Sequence, residues 1–131
     1  MIPSVDLEVA CGPEAAGRAR DALDALADRL EPELQESLRL LVSELVTNSV
    51  RHAGLRRGTP ITITADVTRG GVRVTVVDPG PGFVPPAGPP EPDADGGWGL
   101  YLVDRISDRW GVERDRATQV WFEIDRAGPS R

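Results

Sequence analysis

Apolar and polar residues alternate singly at the start of the chain. In residues 4–10, SVDLEVA, Val5, Leu7 and Val9 fall on one side and Asp6 and Glu8 on the other, the period-two pattern of a half-buried strand. Cys11-Gly12 breaks the pattern, and Pro13 suits the first position of a helix. Ala16, Ala19, Leu23, Leu26, Ala27 and Leu30 supply that helix with an apolar side to about Leu30. Its Arg18, Arg20 and Arg29 alternate with Asp21, Asp24 and Asp28 and read as a solvated face, with a partner-binding surface as the second reading. Glu31-Pro32 is a break. The next helix organises the chain and is centred on residues 38–52, LRLLVSELVTNSVRH. At ~100° per residue, Leu34, Leu38, Leu41 and Leu45 line up in one apolar stripe. Glu44, Asn48 and His52 run along its edge, each one turn from the next.

The second half returns to period two. Residues 60–68, PITITADVT, turn Ile61, Ile63, Ala65 and Val67 inward. Arg69-Gly70-Gly71 gives a tight turn, and residues 72–78, VRVTVVD, form the return strand with Val72, Val74 and Val76 on one face. The run Asp78-Pro79-Gly80-Pro81-Gly82-Phe83 stops the sheet. Residues 84–97, rich in proline, acid and glycine, offer almost nothing to bury and read as a mobile segment or lid. A helix follows from Trp98 to about Arg109, with Leu100, Val103 and Ile106 apolar. Residues 110–113 and 118–124 read as a final hairpin, with Val120, Phe122 and Ile124 alternating with Trp121 and Glu123. There is no internal repeat, so residues 1–131 are expected to form a single domain.

Composition narrows the chemistry. A net charge of −6 argues against a generic nucleic-acid or anionic-membrane binder. All 15 basic residues are Arg, which excludes a lysine P-loop or Schiff base. With 1 Cys no intrachain disulfide and no multi-cysteine metal site is available. The first residues lack the pattern of a signal peptide, and no apolar run approaches the ~18–20 residues of a membrane span, so a cytoplasmic protein is expected.

Glu44 and Asn48 are unusual neighbours for a buried seam. Glutamate can act as a general base. Asparagine offers a carbonyl oxygen to Mg²⁺, which keeps waters and substrate phosphates in its shell. For the helix taken alone, the alternative is a solvated face fraying towards Gly54. Asp78 ends a strand, where its carboxylate can accept a hydrogen bond from a donor such as the exocyclic amine of adenine. As an isolated turn, the same residues are ordinary. A glycine-rich lead into a helix start, Gly97-x-Gly99, favours an anion through free amides and the helix dipole; a linker before an ordinary helix is the alternative.

Taken in order, Glu44-x-x-x-Asn48 on a helix, Asp78-x-Gly80-x-Gly82 after a strand and Gly97-x-Gly99 at a helix start resemble the GHKL ATPase fold shared by gyrase, histidine kinases and MutL. The wording VSELVTNSVRHAG, VVDPGPGF, GGWGLYLVDRISDRWGV and TQVWFEI is similar to its anti-sigma factor serine/threonine kinase branch. The resemblance implies an α+β two-layer sandwich, a mixed, mostly antiparallel sheet covered on one face by helices. It implies ATP and Mg²⁺ as ligands. Glu44 would be the catalytic base, Asn48 the Mg²⁺ ligand, and His52 would line the phosphate end. Asp78 would read the adenine amine, with Gly80 and Gly82 letting backbone pass close to the base. Gly97, Gly99 and Leu100 would present amides to the phosphates, and Thr118 would support the adenine side. The implied partners are a sigma factor and an antagonist phosphorylated on serine or threonine, with no direct nucleic-acid or membrane contact. A homodimer fits small modules of this kind. The chain departs from the branch at Asp93-Ala94-Asp95-Gly96, acidic where kinases carry basic or hydroxyl residues, and at Ala117, where the family has glycine. A regulatory module of the same fold acting by contact alone, with ATP as a structural ligand or with none, is the competing expectation. A histidine-kinase catalytic domain would need a phospho-accepting helix, and His52 is the single histidine.

Overall fold

The computed structural model describes residues 4–52, 55–80 and 99–126, with His52 described by its backbone. Strand β1 (Ser4–Ala10) leads into helix α1 (Ala15–Leu23) and a 3-10 turn at Asp24–Arg29. Helix α2 (Pro32–His52) follows, then the hairpin of β2 (Pro60–Val67) and β3 (Gly71–Asp78), helix α3 (Gly99–Ile106), and the hairpin of β4 (Arg109–Arg114) and β5 (Thr118–Asp125). The sheet has order β1-β2-β3-β5-β4, and each neighbouring pair is antiparallel. The expected sandwich is there; among the described residues the sheet contains no parallel pair.

The alternation of each strand decides its faces. Ile61, Ile63 and Ala65 of β2, Val74 and Val76 of β3, and Val120 and Phe122 of β5 are buried. They join Leu38, Leu41, Val42, Leu45 and Val46 of α2 and Leu100 and Val103 of α3 in one core. Fully burying a side chain of this size stabilises by about 1.5–3 kcal/mol, and the core is what fixes α2 above β3 and β5. None of the described helices is long and apolar enough to cross a membrane.

The first helix differs from its sequence pattern. It does not start at Pro13 and does not run unbroken to Leu30: α1 begins at Ala15 and ends at Leu23. The Gln35 amide Nε2 donates to the Leu23 carbonyl at 3.1 Å, occupying the acceptor that a further helical turn would use. The following turn tightens to 3-10 geometry, keeps Leu26 and Leu30 in the core, and leaves Ala27 exposed. Arg20 is likewise not on a free solvated face; its guanidinium donates to Ser43 Oγ at 2.6 Å, and its carbonyl accepts from Arg39. The third helix stops at Ile106, before Arg109, because Ser107 caps Val103 and the Asp108 amide turns to the Glu123 carbonyl at 2.8 Å.

Gly71 is required where β3 meets β5. A Cβ there would stand 2.0 Å from the Ile124 carbonyl oxygen, so no other residue lets the two strands close. On the outer face of the sheet, the Arg73 guanidinium lies 4.3 Å from the centre of the Trp121 ring. The same indole covers the bare backbone of Gly111 on β4.

Candidate functional site

The site is built where the end of α2 crosses the ends of β3 and β5. The buried stripe of α2 runs Leu38, Leu41 and Val42, Leu45 and Val46, and its next position is Ser49. Ser49 therefore points into the protein. Its hydroxyl donates to Asp78 Oδ2 at 2.7 Å. The other carboxylate oxygen, Oδ1, accepts the Gly80 amide at 2.8 Å. The Gly80 carbonyl in turn accepts the Thr118 hydroxyl at 3.1 Å. Thr118 is the register partner of Asp78 across β3 and β5. Ser49, Asp78, Gly80 and Thr118 thus form one hydrogen-bonded chain with almost no solvent access: Asp78 is 3% exposed and Thr118 1%.

A carboxylate buried this deeply requires donors to offset its desolvation. Two are in place. An ionised carboxylate is acceptor-only and has about four lone-pair sites, so Asp78 retains capacity for a further N–H. That is the property needed to recognise an amino group on a planar heterocycle.

Asn48, beside Ser49 on α2, is also buried, at 9% exposure, and its side chain hydrogen-bonds to no other described residue. Glu44 stands one turn earlier, half-buried, and its carboxylate is likewise not held by a described residue. The pair is therefore an uncommitted carboxylate and an uncommitted amide, at the edge of the same seam that carries Ser49. Among the described residues there is no cluster of His, Cys, Asp and Glu that would cage a metal. The donor set fits an ion held through the Asn48 carbonyl oxygen and completed by a ligand's own oxygens, the habit of Mg²⁺ on phosphates.

Of the residues expected from sequence, Asp78, Gly80 and Thr118 are joined by hydrogen bonds at the ends of β3 and β5, while Glu44 and Asn48 lie on α2, the helix whose Ser49 reaches Asp78. Gly99 opens α3, and the Leu100 side chain is buried in the core, which leaves its backbone amide as the group it could offer a ligand. The His52 side chain, Gly82, Gly97 and residues 84–97 lie outside the described residues. Ser49 was not among the expected site residues. Its signal is a hydroxyl at the stripe position one turn after Leu45, where another aliphatic residue would continue the pattern.

A wide open depression lies elsewhere among the described residues. It has a volume of about 560 Å³ and is bordered by Asp66, Gly71, Arg73, Arg109, Glu123 and Asp125 at the other end of the sheet. Its Arg73, Arg109, Glu123 and Asp125 are already engaged with one another, so the candidate site is set by the buried hydrogen-bonded chain through Asp78 and the uncommitted Glu44 and Asn48, not by cavity size.

A family profile described as a histidine kinase-like ATPase domain matches residues 9–124. A serine-protein kinase RsbW of Oceanobacillus iheyensis is 29% identical over 118 residues, which cover 79% of this chain and 75% of that protein. An uncharacterized protein of Streptomyces coelicolor is 41% identical over 76 residues, 56% of this chain and 70% of its own. Among solved structures, the RsbU and RsbW domains of a Mycobacterium tuberculosis protein superpose with a TM-score of 0.74 at 20% identity, over 98% of this chain and 34% of that one. A blue-light activated histidine kinase of Erythrobacter litoralis gives 0.58 at 26% identity, over 88% of this chain and 42% of its own. The chain thus spans about a third to two-fifths of the multidomain structures whose fold it shares.

Proposed function

The chain belongs to the family of histidine kinase-like ATPase domains, whose profile takes in nearly all of it, and on that footing we propose that it is an ATP-binding regulator of the anti-sigma factor type that phosphorylates a serine or threonine of an antagonist protein. The observation that carries the reading is the buried Asp78 carboxylate, supported by Ser49 and Gly80 and backed by Thr118. It is shaped to accept from the adenine amine while the uncommitted Glu44 and Asn48 stand along the same helix.

Bound ATP would supply the γ-phosphoryl group and leave as ADP, and Mg²⁺ would neutralise the phosphate charge. The chain's own residues bind, orient and accept. Asp78 fixes the base through one directed hydrogen bond, and Ser49 keeps its carboxylate from rotating. Asn48 would offer its carbonyl oxygen to the ion. Glu44 takes the proton of the attacking serine or threonine hydroxyl, work that needs a carboxylate free of other partners. The kinship with a serine-protein kinase RsbW supports a protein hydroxyl as acceptor. Phosphorylation adds about −1.5 to −2 charge to the antagonist and disfavours its contact with a chain that is itself net −6.

Calorimetric titration of MgATP and MgADP, with Asn48→Ala alongside, tests the site. Micromolar binding lost in the variant supports it and licenses a transfer assay with labelled ATP and serine-bearing partners. Absence of binding in the wild-type protein overturns it and favours the contact-only module.

A further inference from the structure

The face of the sheet turned away from the helices is uncharged at its centre and carries unpaired carboxylates around it. We propose that this face is a docking surface for a basic segment of a partner protein, with an apolar middle and a lysine or arginine towards each end.

Strand register lays the face out in rows. Asp6, Thr64, Thr75, Trp121 and Gly111 make one row across the five strands, and Glu8, Thr62, Val77, Gln119 and Glu113 make the next. A third runs through Ser4, Asp66, Arg73, Glu123 and Arg109, and its charges are unequally used. Arg73 is the cross-strand neighbour of Asp66, but its guanidinium turns the other way, to Glu123 at 2.9 Å and over the Trp121 ring. Arg109 holds Glu123 and Asp125. Both arginines of the face are thus engaged, and the carboxylates of Asp6, Glu8, Asp66 and Glu113 have no partner among the described residues.

Antiparallel sheets commonly face water on one side, and a face that does only this needs no bias of charge. Here Thr64, Thr75, Val77 and Trp121 are half-buried and uncharged, so a partner can cover them without stranding a charge. The exposed Asp6, Glu8 and Glu113 stand at the rim, on the two edge strands. An aromatic, uncharged centre inside a charged rim is the anatomy of an interface. Unpaired charge of one sign at that rim selects a partner of the other.

Distance limits the occupant further. From β1 to β4 the five-stranded order spans four strand spacings, about 19 Å, at ~4.8 Å each. An extended segment of about six residues covers that length. It sets cations against Asp6 or Glu8 at one end and Glu113 at the other, with apolar side chains on Val77 and Trp121 between them. Asp66 borders the open depression of about 560 Å³, where an incoming ammonium or guanidinium meets a carboxylate that no described residue holds. Asp78 and Thr118 point to the opposite side of the same strands, so this surface is separate from the proposed nucleotide site.

An NMR titration of the full chain with the peptide Arg-Lys-Val-Leu-Val-Lys-Arg tests this, with Glu-Asp-Val-Leu-Val-Asp-Glu as the control. The expected result is amide shifts gathered at residues 62–66, 73–77 and 119–123 with the basic peptide and none there with the acidic one. The combined exchange Glu8→Gln, Asp66→Asn and Glu113→Gln should weaken the binding about tenfold, since each removes one solvent-exposed pair. Absence of shifts up to about 1 mM peptide overturns the proposal. So do shifts gathered at other acidic residues, such as Asp21, Asp24 and Asp28, and so does an affinity that the exchange leaves unchanged. Should the variant fail to fold, salt decides in the wild-type protein. Affinity at this face that falls about tenfold between about 0.02 M and about 0.3 M salt supports the charged rim, and affinity independent of salt overturns it.

Discussion

Ser49 donates its hydroxyl to Asp78 Oδ2 at 2.7 Å, and this contact joins α2 to the end of β3 inside the protein. It makes one helix responsible for both ends of the proposed chemistry. In the proposed function Ser49 aims the carboxylate that would read the base, while Asn48 and Glu44, on the same helix, would address the phosphates and the incoming hydroxyl. A shift of α2 along the sheet would move all three together.

Asp78→Asn is predicted to weaken MgATP binding by about 10- to 100-fold, the value of a hydrogen bond to a charged group. Ser49→Ala leaves Asp78 buried with one donor fewer. It should cost about 1–3 kcal/mol of stability as well as affinity. Chemical denaturation and calorimetry on both variants separate the two effects. Unchanged affinity in Asp78→Asn would remove this residue as the base reader.

Asn48→Ala should abolish the Mg²⁺ dependence of nucleotide binding and leave the fold intact, because its amide holds no described residue in place. The measurement is titration with and without the ion. Tight, Mg²⁺-dependent binding retained in the variant would show that the ion is held elsewhere.

Glu44→Ala should bind nucleotide as the wild type does and lose transfer by about 10²- to 10⁴-fold, the usual weight of a general base. Single-turnover transfer from labelled ATP reads this directly. Equal transfer rates would leave Glu44 without a catalytic role.

Much of this arrangement was legible in the chain. The period-two runs predicted β1, β2, β3 and β5 with their inward faces, and the stripe through Leu34, Leu38, Leu41 and Leu45 gave α2 its inward side. What escaped depends on contacts between distant residues. The break at Leu23 follows from the Gln35 amide reaching back 12 residues, and nothing within α1 announces it. Arg20 looked solvated because its partner Ser43 lies on another helix. Ser49 was overlooked because a hydroxyl on an apolar stripe acquires meaning only once Asp78 is known to lie beneath it.

The last prediction concerns pH. Glu123 is held below the usual carboxylate range first by its hydrogen bond from Arg109 at 2.6 Å, then by that from Arg73 at 2.9 Å. These bonds tie β5 to both of its neighbours. A group whose pKa is lower folded than unfolded contributes stability that is fully present above its unfolded pKa. The contribution disappears as pH falls through the folded value. Glu123→Gln should therefore be less stable than the wild type at neutral pH, by no more than about 1 kcal/mol because the network is solvent-exposed. The gap should close as pH falls below the normal carboxylate range, and high salt should narrow it at neutral pH. Thermal unfolding of both proteins across the acid range checks this. A gap that stays constant down to strongly acidic pH would assign the effect to lost packing instead of the Arg109–Glu123–Arg73 charges.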